Sequence, residues 1–218
     1  VADMGEWMHE PAIWYGTERE STAMKRSLVH SGLDAIARMS TTRTNYWAEF
    51  AVDAALCAVL LAAGWRHLDG SAWRAPLALV LGLFVFSFIE YLIHRWLFHT
   101  HIPLFEQGHR MHHEHPLGYD SLPFFLPPIV LLALAGLLVW LMPLGFALLL
   151  AGSITLGYIT YGLSHFIIHH VRFKQPLLRR WAGAHHVHHY HPETNFGVTT
   201  LLWDIVFGTR YVRQMRKL

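Results

Sequence analysis

The sequence predicts an all-α, integral membrane fold: a four-helix bundle with a cytosolic histidine-rich cap and an N-terminal interfacial amphipathic helix. Three observations point there. The chain has 218 residues, of which 53% are hydrophobic and only 15% charged, against roughly 25% charged in a soluble domain. It carries four apolar segments, each approaching the ~20 residues a helix needs to span the hydrocarbon core. It also holds 18 histidines, most of them in dense groups beside those segments.

Residues 1–45 read as a polar, interfacial segment and residues 46–218 as a single membrane-embedded domain. Between Ser21 and Met39, the apolar residues Met24, Leu28, Leu33, Ile36 and Ala37 recur at roughly helical spacing, with Lys25, Arg26 and Arg38 between them. The pattern suits an amphipathic helix on a membrane surface and equally an ordinary surface helix. The start, "VADMGEWMHEPAIWYG", shows no basic stretch followed by an apolar core, so no signal peptide is expected. The apolar segments run roughly from Tyr46 to Trp65, Trp73 to Phe98, Leu122 to Met142 and Leu144 to His169. The first contains Glu49 and Asp53 and is the weakest candidate span. The third opens on Pro123, Pro127 and Pro128. "MPLG" joins the third and fourth as a helical hairpin.

Alternating crossings place the end of the second segment, the loop after it, the end of the fourth and the tail on one side. That side collects the clustered histidines. The N-terminal stretch has five Lys or Arg and the tail after the fourth segment has eight, whereas the link between the first two has only Arg66 and Arg74. The positive-inside rule then predicts a cytoplasmic histidine face, with both termini cytoplasmic. Lys plus Arg number 17 against 15 Asp plus Glu, a balance that does not suggest nucleic acid as a partner. Cys57 is the sole cysteine, so an intrachain disulfide and a CxxC site are both excluded. Any metal must be held by nitrogen and oxygen.

Four histidine groups supply the nitrogen. "HRWLFH" holds His94 and His99; "HRMHH" holds His109, His112 and His113; "HFIIH" holds His165 and His169; "HHVHH" holds His185, His188 and His189. On a helix, residues four apart share a face, as do residues three apart. His165 and His169 therefore point the same way, and His109 with His112, and His185 with His188, are expected to do likewise. Neutral imidazole binds Fe, Zn, Cu or Ni. Ten such ligands exceed one ion and suit two close ions, each with four or five nitrogens. His9, His30 and His67 read as surface residues. His101, His115, His170, His186 and His191 fall off the repeated spacing.

Four further residues are candidates for supporting the cluster. Glu90, one turn before His94, either takes the Nδ1 proton of a ligand histidine or pairs with Arg95 or Arg110. Asp204 is a similar case. Asn195 and Tyr190 are placed to hydrogen-bond to bound water or a substrate head group.

These motifs together resemble the fatty acid hydroxylase (sterol desaturase-like) superfamily of integral membrane enzymes. "FIEYLIHRWLFH", "GHRMHHEHPLGYD" and "FGVTTLLWDIVFGT" are similar to its fatty acid 2-hydroxylase branch, and the likeness covers roughly Gly82 to Thr209. It implies a dimetal centre held by ten histidines at the cytosolic mouth of a four-helix bundle. It also implies O2-dependent hydroxylation of a lipid acyl chain, at C2 in this branch. The matching ligand positions are His94, His99, His109, His112, His113, His165, His169, His185, His188 and His189. Eukaryotic members of the branch often carry a cytochrome b5 domain. No HPGG heme-binding stretch occurs here, so electrons are expected from a separate cytochrome b5-, ferredoxin- or reductase-like partner.

Hydroxylating an unactivated C–H bond needs an oxidant made from O2, and Zn2+ is redox-inert. Two iron ions are therefore the expected cofactor, with zinc as a stand-in in purified protein. The substrate is expected to be a lipid or fatty acyl chain entering from the bilayer. A desaturase, sterol-type oxidase or carotenoid hydroxylase is the alternative on the same scaffold. A histidine-rich metal carrier is the non-enzyme alternative; it would spread polar ligands through the membrane depth rather than gather them at one face.

Overall fold

A computed structural model describes residues 35–36, 38–70, 73–99, 103–119 and 121–212. The chain divides into Val1–Met39 and Ser40–Leu218, and the second unit carries the site. The amphipathic helix expected over Ser21–Met39 lies mostly outside the described residues; residues 35–36 and 38–39 are helical.

The helices are α1 (Arg43–Arg66), α2 (Arg74–Leu92), α3 (Pro103–Glu114), α4 (Leu126–Leu141), α5 (Leu144–His170), α6 (Pro176–Tyr190) and α7 (Leu202–Val206). Among the described residues there is no strand. Among the described residues, three helical stretches are long and apolar enough to cross a membrane: Arg43–Arg66, Arg74–Phe98 and Leu144–His170. With a rise of about 1.5 Å per residue, each exceeds a hydrocarbon core of about 30 Å.

The third apolar segment, expected over Leu122–Met142, forms the shorter helix α4, with 16 residues. Its start is set by Pro127 and Pro128. Proline suits the first helical turn, where a missing N–H leaves no bond unmade. The chain ahead of it is tied to the first turn of α1. Asn45 Nδ2 donates to the Leu122 carbonyl at 2.8 Å, and Phe124 N–H donates to Asn45 Oδ1 at 3.0 Å. Thr42 caps α1 by accepting from Asn45 N–H at 3.2 Å.

Helix α5 is central. Its apolar window is 56% buried, against 28% for the other two long spans, and it packs on α1, α2 and α4. Small residues permit the approach: a Cβ on Gly82 would lie 2.4 Å from Ser153 Cβ. Phe86, Leu131, Leu150 and Ile154 fill the space between α2, α4 and α5. Outward faces remain apolar, as at Val59, Val80 and Trp140. Glu49 and Asp53, which weaken the first segment as a span on paper, are turned inward and buried. Tyr158 of α5 donates its hydroxyl proton to Glu49. An inward carboxylate with a donor is how a spanning helix tolerates an acid.

The C-terminal segment folds back along α2. Trp203 lies 4.5 Å from Phe88 between ring centroids, and Phe207 stacks on Tyr91 at 5.3 Å. Trp203 Nε1–H donates to Ser87 Oγ at 3.0 Å. This return places residues 194–200 directly beside the end of α2.

Candidate metal centre

The end of α2 is not α-helical: Ile93–Phe98 form a π-helical turn. The reason it matters is His94 and His99, five residues apart. On an α-helix, residues five apart diverge by about 140°. The wider π turn, with its i→i+5 bonding, brings them back together, and their rings stack at 5.4 Å between centroids.

All ten clustered histidines converge, in two groups of five. Group A is His94, His99, His109, His113 and His188; group B is His112, His165, His169, His185 and His189. In each group one ring nitrogen per residue lies within 4.8 Å of the others. The HxxHH boxes do not present their first two histidines on one face. Helices α3 and α6 instead pair residues four apart. His109 and His113 sit 4.5 Å apart between centroids, and His185 and His189 sit 4.8 Å apart. The histidine three along, His112 or His188, rotates to the opposite group. At the helical pitch of 3.6 residues, i+3 and i+4 fall on either side of the facing direction, and here two centres occupy the two sides.

Hydrogen bonds from the 194–200 loop orient group A. His94 Nδ1 bonds the Phe196 carbonyl, and His188 Nδ1 bonds the Thr194 carbonyl at 2.7 Å. A carbonyl accepts only, so each ring carries its proton on Nδ1 and turns a bare Nε2 lone pair into the centre. The loop is itself held by two buried carboxylates. Asp204 accepts from Phe196 N–H and Gly197 N–H, both at 2.8 Å, and from the Thr209 hydroxyl at 2.7 Å. Glu90 accepts from Val198 N–H at 2.7 Å, from Thr199 N–H at 2.9 Å and from the Thr199 hydroxyl. Gly197 is required by crowding, since a Cβ there would fall 1.9 Å from the Thr200 carbonyl oxygen.

The sequence expectations for the supporting residues are corrected accordingly. Glu90 touches neither a histidine nor Arg95 nor Arg110, because two loop N–H groups and a hydroxyl already fill its carboxylate. Asp204 likewise acts on the loop backbone. Asn195 is a turn residue: it has φ 53°, its Nδ2 donates to the Ala184 carbonyl at 3.0 Å, and its Oδ1 accepts from Tyr211 N–H at 2.8 Å. Tyr190 is 83% exposed at the end of α6. Of the off-pattern histidines, His170 stacks on Phe166 and His191 on Tyr211; His115 and His186 are exposed. His9, His30 and His101 lie outside the described residues.

Burial keeps these imidazoles neutral. It lowers His99 to about 4, aided by His113, and His112 to about 2, aided by His169 and His189. His188 falls to about 3 despite the opposing Thr194 carbonyl, and His189 to about 3 with His113 adding to the effect. His109, His113 and His185 shift down for the same reason. A neutral imidazole is the form that ligates a metal.

The donor set fits metal ions. Neighbouring Nε2 atoms lie 3.2, 3.2, 3.0 and 2.9 Å apart in group A and 3.0 and 3.1 Å apart in group B. With metal–nitrogen bonds of about 2.0–2.1 Å, ligands at right angles lie about 2.9 Å apart and tetrahedral ones about 3.3 Å. The observed 2.9–3.2 Å falls within the range these two geometries bound. His112 Nε2 is buried without a hydrogen-bond partner, and converging bare nitrogens repel unless a cation lies between them.

Comparison with known proteins now decides the family. The family model described as fatty acid hydroxylase matches residues 79–209. The chain belongs to the fatty acid hydroxylase family. It is 31% identical over 180 residues to the dihydroceramide fatty acyl 2-hydroxylase FAH2 of Arabidopsis thaliana, covering 77% of this chain and 74% of that one. It is 32% identical over 141 residues to FAH1 of the same plant, covering 60% of this chain and spanning 59% of that relative's length. A solved structure of full-length scs7p, in which only the hydroxylase domain is visible, superposes with a TM-score of 0.69 at 26% identity, covering 80% of this chain and 69% of that one. The fatty acid hydroxylase match runs from within α2 to Thr209 and encloses all ten histidines.

Sequence reasoning missed four contributors to this fatty acid hydroxylase site. The Thr194 and Phe196 carbonyls leave no side-chain signature. The π turn had a signal, since two histidines five apart cannot share an α-helical face. Arg95, read only as a partner for Glu90, stands elsewhere.

Proposed function

We propose that this protein is a membrane-bound, O2-dependent diiron monooxygenase that hydroxylates a fatty acyl chain of a lipid at C2. The observation that carries the reading is the pair of five-nitrogen groups, in each of which the ligand nitrogens lie within 4.8 Å of one another. Group A would hold one ion through His94, His99, His109, His113 and His188. Group B would hold the other through His112, His165, His169, His185 and His189. O2 activation is the chemistry a bound iron pair supplies; redox-inert zinc does not. The reaction balances as C–H plus O2, two electrons and two protons giving C–OH and water. The electrons come from a separate cytochrome b5-, ferredoxin- or reductase-like donor.

This chain's residues do the rest. The Phe196 and Thr194 carbonyls hold His94 and His188 in one tautomer. Phe98 packs against the His109 ring and Phe196 against the His99 ring. The names of the plant relatives support C2 and an N-acyl lipid. The cationic N-terminal stretch and tail support a multi-pass protein with both ends and the histidine face cytoplasmic.

The test is lipid mass spectrometry of cells with the wild-type protein and with His112→Ala. The expected product is an acyl chain that gains one oxygen at C2, lost in the variant. Loss of two hydrogens in its place would establish a desaturase. Loose, variable metal binding with no lipid product would establish a carrier.

A further inference from the structure

A cavity of ≈ 420 Å³ opens beside group A, with Arg95, Trp96, His99, Glu193, Phe196 and Thr209 in its wall. Arg95 is its distinctive member. A cation at the end of a spanning helix ordinarily extends its head to the lipid headgroups. Arg95 instead lies among three rings, its guanidinium carbon 5.4 Å from the Trp96 centroid, 5.8 Å from Tyr91 and 5.9 Å from Phe196. Among the described residues, no carboxylate forms an ion pair with it.

Its orientation is fixed by a directional chain. Arg95 Nη1–H donates to the Tyr91 hydroxyl oxygen at 2.8 Å. The Tyr91 hydroxyl lies 3.1 Å from Thr209 Oγ1, and the Thr209 hydroxyl donates to Asp204 at 2.7 Å. A guanidinium only donates, an ionised carboxylate only accepts, and each hydroxyl has one proton. Tyr91 must therefore donate to Thr209. Tyr91, at 0% exposure, holds the guanidinium on one edge and leaves its other N–H groups for a ligand.

Resting on the hydroxylase reading, we propose that Arg95 binds the acyl carbonyl oxygen of the substrate in this cavity. The carbonyl carbon is C1, so anchoring its oxygen next to His99 leaves C2 as the first C–H carbon at the centre. Guanidinium recognises a carboxylate and an amide carbonyl alike. Glu193 in the same wall repels the charge of a free acid, so the preferred carbonyl is the neutral amide of an N-acyl lipid.

Binding to zinc-loaded full-length protein in detergent tests this without turnover. The ligands are an N-acyl sphingoid lipid, the free fatty acid and the fatty alcohol of equal chain length, with metal content measured in every sample. The wild-type protein is expected to prefer the N-acyl lipid over the alcohol by about 10- to 100-fold, the range for a charge-assisted hydrogen bond. Arg95→Gln is expected to remove that preference and leave alcohol binding unchanged. Tyr91→Phe, which retains Arg95 but frees its held edge, is expected to erode the preference by a smaller factor. With iron loaded, Arg95→Gln is expected to spread the hydroxyl from C2 to neighbouring carbons. Equal weakening of all three ligands in Arg95→Gln, or no carbonyl preference in the wild type, would overturn the anchor. Free acid binding as tightly as the N-acyl lipid would overturn the role of Glu193. A carbonyl preference without any hydroxylated product from iron-loaded wild-type protein would overturn the proposed function and leave the Arg95 site standing.

Discussion

Groups A and B contain the same number of imidazoles and differ in what holds them. In group A, His94 and His188 spend their second nitrogen on loop carbonyls, and that loop hangs on Asp204 and Glu90. In group B, every histidine stands on α3, α5 or α6, and His185 Nδ1 is buried with no partner. Group A borders the open cavity, while the space beside His112, His165 and His169 is only ≈ 20 Å³. Equal donor sets thus rest on unlike supports. Group B relies on helices alone, whose geometry is set locally. Group A relies on a loop brought back from a distant part of the chain.

The most severe way to break the comparison removes a donor from each side. His94→Ala and His165→Ala are each expected to lower product formation by more than about 100-fold, beyond what loss of a supporting contact costs. Metal analysis separates the two variants, because each should empty its own centre first. Simultaneous loss of both metals in both variants would mean that the groups bind as one unit.

A milder test attacks the loop. Asp204→Asn puts an amide N–H against the Phe196 or Gly197 N–H, so a donor meets a donor. It is expected to weaken metal binding at group A by about 10- to 100-fold and spare group B. Timed chelation should then release one metal well before the other. Glu90→Gln is expected to do less, because an amide oxygen still accepts the two loop N–H groups and the Thr199 hydroxyl can turn to accept. Gly197→Ala should fall between the two, by pushing the loop off the Thr200 carbonyl. If these variants release both metals together, the loop supports the whole cluster and the asymmetry is lost.

The smallest effect is on pH, and it sharpens the likeness of the two groups. His99 and His188 in A, and His112 and His189 in B, have folded pKa values of about 4, 3, 2 and 3, below the unfolded value of about 6.5. Below pH 6.5 the unfolded chain binds more protons than the folded one. Stability of the metal-free protein should therefore fall as the pH drops below that point and stay level above it. Thermal unfolding at pH 5 and pH 8 is the measurement. Metal-loaded protein should show at least the same difference, since bound ions keep the folded histidines free of protons while the unfolded chain still takes them up.

Much of this was legible in the residues. Apolar runs of the right length mark α1, α2 and α5, because spanning a hydrocarbon core demands an uninterrupted apolar stretch. The third run, expected as a span over Leu122–Met142, forms a helix of only 16 residues in the structure, because its prolines sit in the first turn. The histidine boxes stand out because such density has few physical uses. The roles of Glu90 and Asp204 were not legible. A carboxylate one turn from a histidine looks like its partner until a backbone from a hundred residues away takes its oxygens.

The sequence by itself determined an all-helical membrane chain with four apolar segments and ten histidines in four groups beside them. Local periodicity and composition are enough for that. Only the tertiary structure decided how those histidines divide. The division depends on a π turn in α2, on α3 and α6 facing each other across two centres, and on a returning loop that orients His94 and His188. The last two are contacts between segments far apart in the chain, where no local spacing can specify which side of a helix meets which neighbour.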